Sequence, residues 1–178
     1  MQKVLLRVII LNMSDDINIQ PKESLSAKTV ASYFIKKAGE LGDGNEELSG
    51  NNDLTNLKLQ KLLYFAQAEH LQKYNGVPLF SEEIHAWKYG PVVPEVYNWL
   101  KDNGSLVITE FDADLDDTDT IPADKREFLD NVWDKYGNLS AWSLVQMTHK
   151  QGSAWDRIYH SDNCDRTIPL AQIMVEAV

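Results

Sequence analysis

LKLQKLLYFAQAEHLQKY, residues Leu57–Tyr74, is the stretch whose apolar pattern decides the fold. At the helical period, Leu59, Leu62, Leu63, Ala66 and Tyr74 fall on one stripe, and Tyr64, Ala68 and Leu71 fall nearly opposite. A surface helix carries one such stripe. Two stripes place this helix at the centre, with neighbours on both sides and with Gln60, Lys61, Gln67 and Gln72 in the strips between them. Thr55 is placed to cap its amino end, Leu54 to staple onto Leu59, and Asn75-Gly76 to supply the left-handed stop. His70 lies on the main stripe. It reads as a core histidine held by a backbone carbonyl, with a catalytic base as the weaker alternative, and no site is expected on this helix despite Lys61 and His70.

Downstream, Ala86–Tyr97 reads AWKYGPVVPEVY. Trp87, Tyr89 and Tyr97 surround Gly90-Pro91, and Pro94 suits the first turn of a helix over Pro94–Asp102. Proline after Gly90 biases that glycine away from the helical region, so the segment forms a rigid, aromatic-walled corner. Such aromatics either pack the corner or form a hot spot for a partner, where Trp and Tyr are enriched.

The runs KLQKLLYFAQ (Lys58–Gln67) and E-x-I-x-AWKYGPVVPEVY (Glu82–Tyr97), with Thr148-His149 and Trp155 beyond them, carry a family resemblance. Over Ala27 to Ala177 the chain resembles the Panacea antitoxin domain, the family of SocA-like and GepA-like phage and genetic-element proteins. The resemblance implies an antitoxin that neutralises a cognate toxin by direct protein–protein binding, the toxin usually being encoded beside it. A nearby variant is an adaptor that delivers the toxin to a bacterial protease. The partner-binding candidates are Trp87, Tyr89, Gly90, Pro91, Tyr97, Thr148, His149 and Trp155. For the last three a structural reading stands beside the functional one: Thr148 and His149 end a helix through bonds to backbone, and Trp155 packs into the core. A third reading, from another class, is a phage-associated regulator that binds DNA.

Bulk properties narrow these classes. The 178 residues suit one ordinary domain, and 43% apolar residues suffice for a core. A formal net charge of −10 argues against a nucleic-acid partner, because affinity for phosphates comes from Lys and Arg. The one cysteine, Cys164, cannot form an internal disulfide, which fits a reducing, cytoplasmic setting. Val4–Leu11 (VLLRVIIL) is far short of the roughly 20 residues of a membrane span and is interrupted by Arg7, so neither anchor nor signal is expected and no membrane partner. Met13 begins a second plausible start, MSDDINIQ. Met1–Asn12 is therefore either upstream sequence or an ordinary strand or helix added to the domain. Residues 1–25 are expected to form a partly disordered N-terminal extension, and residues 26–178 the helical domain.

Elsewhere the punctuation is clear. Ser14–Ser24 is a loop, and Ser26 caps a helix with Val30, Tyr33, Phe34, Ala38 and Leu41 in register, ended by Gly42. Asp43–Asp53 is an exposed connection. Val77–Trp87 is either a strand or, from Ser81-Glu82-Glu83, a short helix. Leu106–Phe111 is the best strand candidate, paired with Ile84–Lys88. Glu110–Asp119 holds six carboxylates: a solvated loop, or an acidic arm that competes for a basic toxin cleft, with cation binding a weak third reading. Pro122 opens a helix with Phe128, Leu129, Val132, Trp133 and Tyr136 up to Gly137. Ser140 caps another with Trp142, Leu144, Val145 and Met147. Gly152 and Ser153 precede Trp155, Ile158 and Tyr159, and Pro169 starts a closing helix, Leu170–Ala177. The expected fold is mainly α: a single compact helical domain around a central buried helix, with at most a small β-hairpin or short strand pair.

No constellation announces catalysis. The four histidines are His70, His85, His149 and His160, and no pair has a metal-site spacing backed by further ligands; His160 and Cys164 are four apart, but a structural zinc site wants four ligands and only two are offered. Cys164 with His149 or His70 is the one nucleophile arrangement open to assembly in space, yet it lacks a setting that would lower its pKa. Neither a P-loop nor a dinucleotide fingerprint occurs. The expectation is a non-enzyme with no cofactor and no metal.

Overall fold

The helix Asn56–Lys73 (α2) runs through the middle of the molecule, and fourteen of its side chains are buried. The structure, a computed structural model, describes residues 24–42, 53–109, 112–160 and 165–175. The extension up to residue 23 with its Val4–Leu11 run and second start, residues 43–52 of the expected connection, Glu110, Phe111 and Cys164 lie outside the described residues. Around α2 stand α1 (Ala27–Gly42), α3 (Pro94–Leu100), α4 (Ala123–Tyr136), α5 (Ala141–Thr148), α6 (Ala154–Ile158) and α7 (Leu170–Met174). A 3-10 turn, Lys101–Asn103, extends α3. The fold is mainly α, and α2 touches α1, α3, α4, α5 and α7.

The caps follow the sequence. Thr55 Oγ1 accepts from Lys58 N at 3.3 Å, Ser26 Oγ from Thr29 N at 2.9 Å, and Ser140 Oγ from Ser143 N at 3.1 Å. Asn75 and Gly76 take positive φ and stop α2. No helix of the described residues is long and apolar enough to cross a membrane.

The polar side chains of α2 depart from the expected strips. Gln60, Lys61 and Gln67 are fully buried, while Gln72 is exposed. Burial is tolerated because each buried group is hydrogen-bonded to backbone beyond the helix. Gln67 Oε1 accepts from Leu79 N at 2.8 Å and its Nε2 donates to Phe80 O at 2.9 Å. Gln60 Oε1 accepts from Val93 N at 2.9 Å, and His70 Nδ1 donates to Val77 O at 2.8 Å. So His70 is the carbonyl-satisfied core histidine. The helix spells out, in side chains, where the segment 77–93 must lie.

That segment forms the hairpin β1 (His85–Trp87) and β2 (Gly90–Val92), with Lys88 and Tyr89 at its turn. The strand reading of this stretch holds for its end. The second neighbour of β1 is β3 (Arg166–Thr167), giving a three-stranded antiparallel sheet in the order β2-β1-β3. Residues 106–109, the described part of the Leu106–Phe111 run, do not join it. Val107 makes a single bridge to Thr55, and Ile108 N donates to Leu54 O at 2.8 Å, because buried Ile108 seats this segment beside the start of α2.

The acidic segment also differs from a free loop or arm over its described part. Asp116 Oδ2 accepts from Thr29 Oγ1 at 2.8 Å, and its Oδ1 pairs with Lys28 at 3.3 Å. Thr118 is buried and accepts from Lys36 Nζ at 3.0 Å. These contacts strap the segment onto α1. On α5, Leu144 and Val145 are buried, but Trp142 is 58% exposed on another side of the helix.

Candidate partner-binding site

The corner is built from Gly90 outward. Its φ of +100° is open to glycine and strained for any other residue, and a Cβ there would lie 2.7 Å from Thr148 Oγ1 and 2.9 Å from Lys61 Nζ. The Lys61 ammonium donates to the Pro91 carbonyl oxygen at 2.7 Å, which fixes the hairpin to α2. Desolvation lowers the pKa of Lys61 to about 7. Lys61, set aside by sequence reasoning, is thus the post on which the corner stands.

The second motif arrives from the other side. Thr148 Oγ1 donates to Val145 O at 2.9 Å, and Ser153 Oγ donates to Thr148 O at 2.7 Å, closing α5 and opening α6. His149 stacks on Trp155 with centroids 3.7 Å apart, and Trp155 stacks on Tyr159 at 4.6 Å. Trp155 Nε1 donates to the Trp87 carbonyl oxygen at 2.8 Å. Burial first, and the nearby Lys61 second, hold the His149 pKa below its ordinary value. Its Nε2 is buried with no hydrogen-bond partner among the described residues. Two motifs far apart in sequence therefore meet over Lys61.

The eight candidate residues divide by exposure. Gly90, Pro91 and Thr148 are buried, Trp155 is 8% exposed, and His149 is half-buried with one face stacked on Trp155, so these five chiefly build the corner. Tyr89, at the hairpin turn, is 52% exposed, with the Lys88 ammonium 5.3 Å from its ring centroid. Tyr97 is 37% exposed and meets half-buried Trp87 edge to face at 4.9 Å. The outward aromatics sit on a base that other residues hold rigid.

Sequence reasoning missed what continues this surface. Trp87 Nε1 donates to Asp165 Oδ1 at 2.9 Å, and His85 Nδ1 lies 2.6 Å from the same oxygen. These two bonds, His85 first, hold the Asp165 carboxyl below its usual range. On its other side, His85 Nε2 lies 3.2 Å from Glu83 Oε2. Only the alternation of His85 and Trp87 around Ala86 pointed to a shared face; Asp165 had no signal in the sequence. Among the described residues no group of three or more His, Cys, Asp or Glu side chains is placed to hold a metal ion.

Comparison with known proteins finds relatives of this chain. Residues 59–156 match the model of the family described as "Antitoxin SocA-like, Panacea domain". The chain is 33% identical over 147 residues to the protein named Antitoxin SocA of Caulobacter vibrioides (strain NA1000 / CB15N), covering 78% of this chain and 73% of the relative. No solved structure matches the chain.

Proposed function

This chain belongs to the SocA-like Panacea antitoxin family, and from that premise we propose that it neutralises a toxin protein by direct binding through the exposed turn of the β1–β2 hairpin. The observation that carries the reading is the mounting of Tyr89 and Tyr97. They are exposed aromatics held by a buried lysine, a tight glycine and a stacked tryptophan. A rigid aromatic presented this way loses little entropy on binding, which is what a contact hot spot requires. The role is binding without catalysis, in the cytoplasm, and the toxin is encoded next to this chain.

Co-expression with the adjacent reading frame tests it. That frame alone should arrest growth, this chain should restore it, and Tyr89→Ala should weaken rescue while leaving the chain folded. A harmless neighbour, or failure of the wild-type chain to rescue, overturns the assignment. Adaptor delivery to a protease is the second reading, favoured by its family; rescue that disappears in a protease-deficient host would select it. Binding to operator DNA has less support, given the net charge of −10 and a hairpin standing between α2 and α3 where a helix-turn-helix needs a short turn. A mobility shift on its own promoter at moderate salt would restore that reading.

A further inference from the structure

Strand alternation sets His85 and Trp87 on the outer face of β1, opposite buried Ala86, and Asp165 and Thr167 on the same face of the β3 segment, with Arg166 turned the other way. The result is a continuous line of side chains: Thr167, Glu83, His85, Asp165, Trp87, Tyr97. Asp165 and Glu83 are 68% and 69% exposed. Each uses one oxygen within the line, Oδ1 of Asp165 and Oε2 of Glu83, and among the described residues the second oxygen of each accepts no bond. The lysine of this hairpin, Lys88, is drawn over Tyr89. Exposed carboxylates with one oxygen uncommitted, next to an indole–phenol pair, match the two things a guanidinium seeks: paired acceptors and a π face.

Building on the direct-binding reading, we propose that this outer sheet face receives a basic segment of the toxin, with an arginine laid against Trp87 and Tyr97 and paired to Asp165 and Glu83. The surplus of carboxylates in the chain complements such a segment and speeds its approach, so binding weakens as salt rises.

The test uses the purified full chain and the protein of the adjacent reading frame, after growth rescue by the wild type has been established. Asp165→Asn combined with Glu83→Gln keeps oxygens that can accept from Trp87 Nε1 and Thr167. It is expected to bind about tenfold more weakly at low salt, with the gap closing at higher salt. Glu127→Gln combined with Asp134→Asn removes the same charge from the exposed side of α4 and should stay within about twofold of wild type. Equal losses in both variants would mean that net charge alone attracts the toxin, and no loss in either would place the contact elsewhere; both overturn this inference while leaving direct binding intact. Failure of wild-type rescue overturns the direct-binding reading and this inference with it. A readout that needs no variant is the indole N–H resonance of Trp87. It should shift when the toxin is added, and a shift confined to Trp142 would move the contact to α5.

Discussion

On the buried side of the β1–β2 hairpin, Gly90 lies against Lys61 and Thr148 with no room for a methyl group, and the Pro91 carbonyl oxygen accepts from Lys61; on the exposed side, at the turn one residue away, Tyr89 is half exposed. Both faces belong to the same short motif. The inner residues are constrained by contact, since any added atom meets buried polar groups. Tyr89 on the other side has about half its surface in water, with only the Lys88 ammonium set over its ring among the described aromatic and cation contacts. A single run of sequence can thus hold a structural half and a presenting half, and only burial separates them.

Substitutions on the two faces should therefore fail in different ways. The largest effect is expected from Trp155→Ala, which removes the ring between His149 and Tyr159 and the bond to Trp87 O; a loss of about 3–5 kcal/mol in chemical denaturation is expected. Next is Gly90→Ala, where positive φ and contacts below 3 Å combine to cost about 2–4 kcal/mol by the same measurement. If Gly90→Ala were as stable as wild type, the inner face would not be the rigid base described.

Lys61 gives a subtler signature. Its pKa of about 7 in the folded chain lies below its ordinary 10.5, so between these values the unfolded chain holds more protons. Stability from this group is full above pH 10.5, falls as pH drops to about 7, and is flat below. His149, lowered from 6.5, adds a further fall as pH goes below 6.5. Thermal melting of wild type should rise from pH 7 to 10 relative to Lys61→Met, which lacks the titrating group. The smallest effect on folding is expected from Tyr89→Ala, within about 0.5 kcal/mol, since its ring is largely in water. Its consequence should appear in toxin binding instead. A Tyr89→Ala chain that unfolds would erase the contrast between the faces.

Much of the helical frame was legible because its determinants are local. Thr55, Ser26 and Ser140 cap by reaching donors three residues on, and Asn75-Gly76 stops α2 by its backbone freedom. Over residues 106–109 the strand expected beside Ile84–Lys88 was misplaced because β-branched composition states a preference for extended chain and nothing about its neighbour; Ile108 took its place beside Leu54. Likewise, the acidic run gave no hint that Asp116 would be held by Thr29 and Lys28 of a helix far upstream.

The site divides along the same line. The sequence by itself determined a central two-sided helix, the caps of its neighbours and an aromatic corner around Gly90-Pro91, since periodicity and backbone preference act over a few residues. Only the tertiary structure decided that Lys61 would be buried beneath that corner, that Thr148 and Trp155 would close on it, and that Asp165 would extend its outer face. Those pairings depend on which surfaces exclude water together, and that is a property of the packed chain rather than of any one stretch of it.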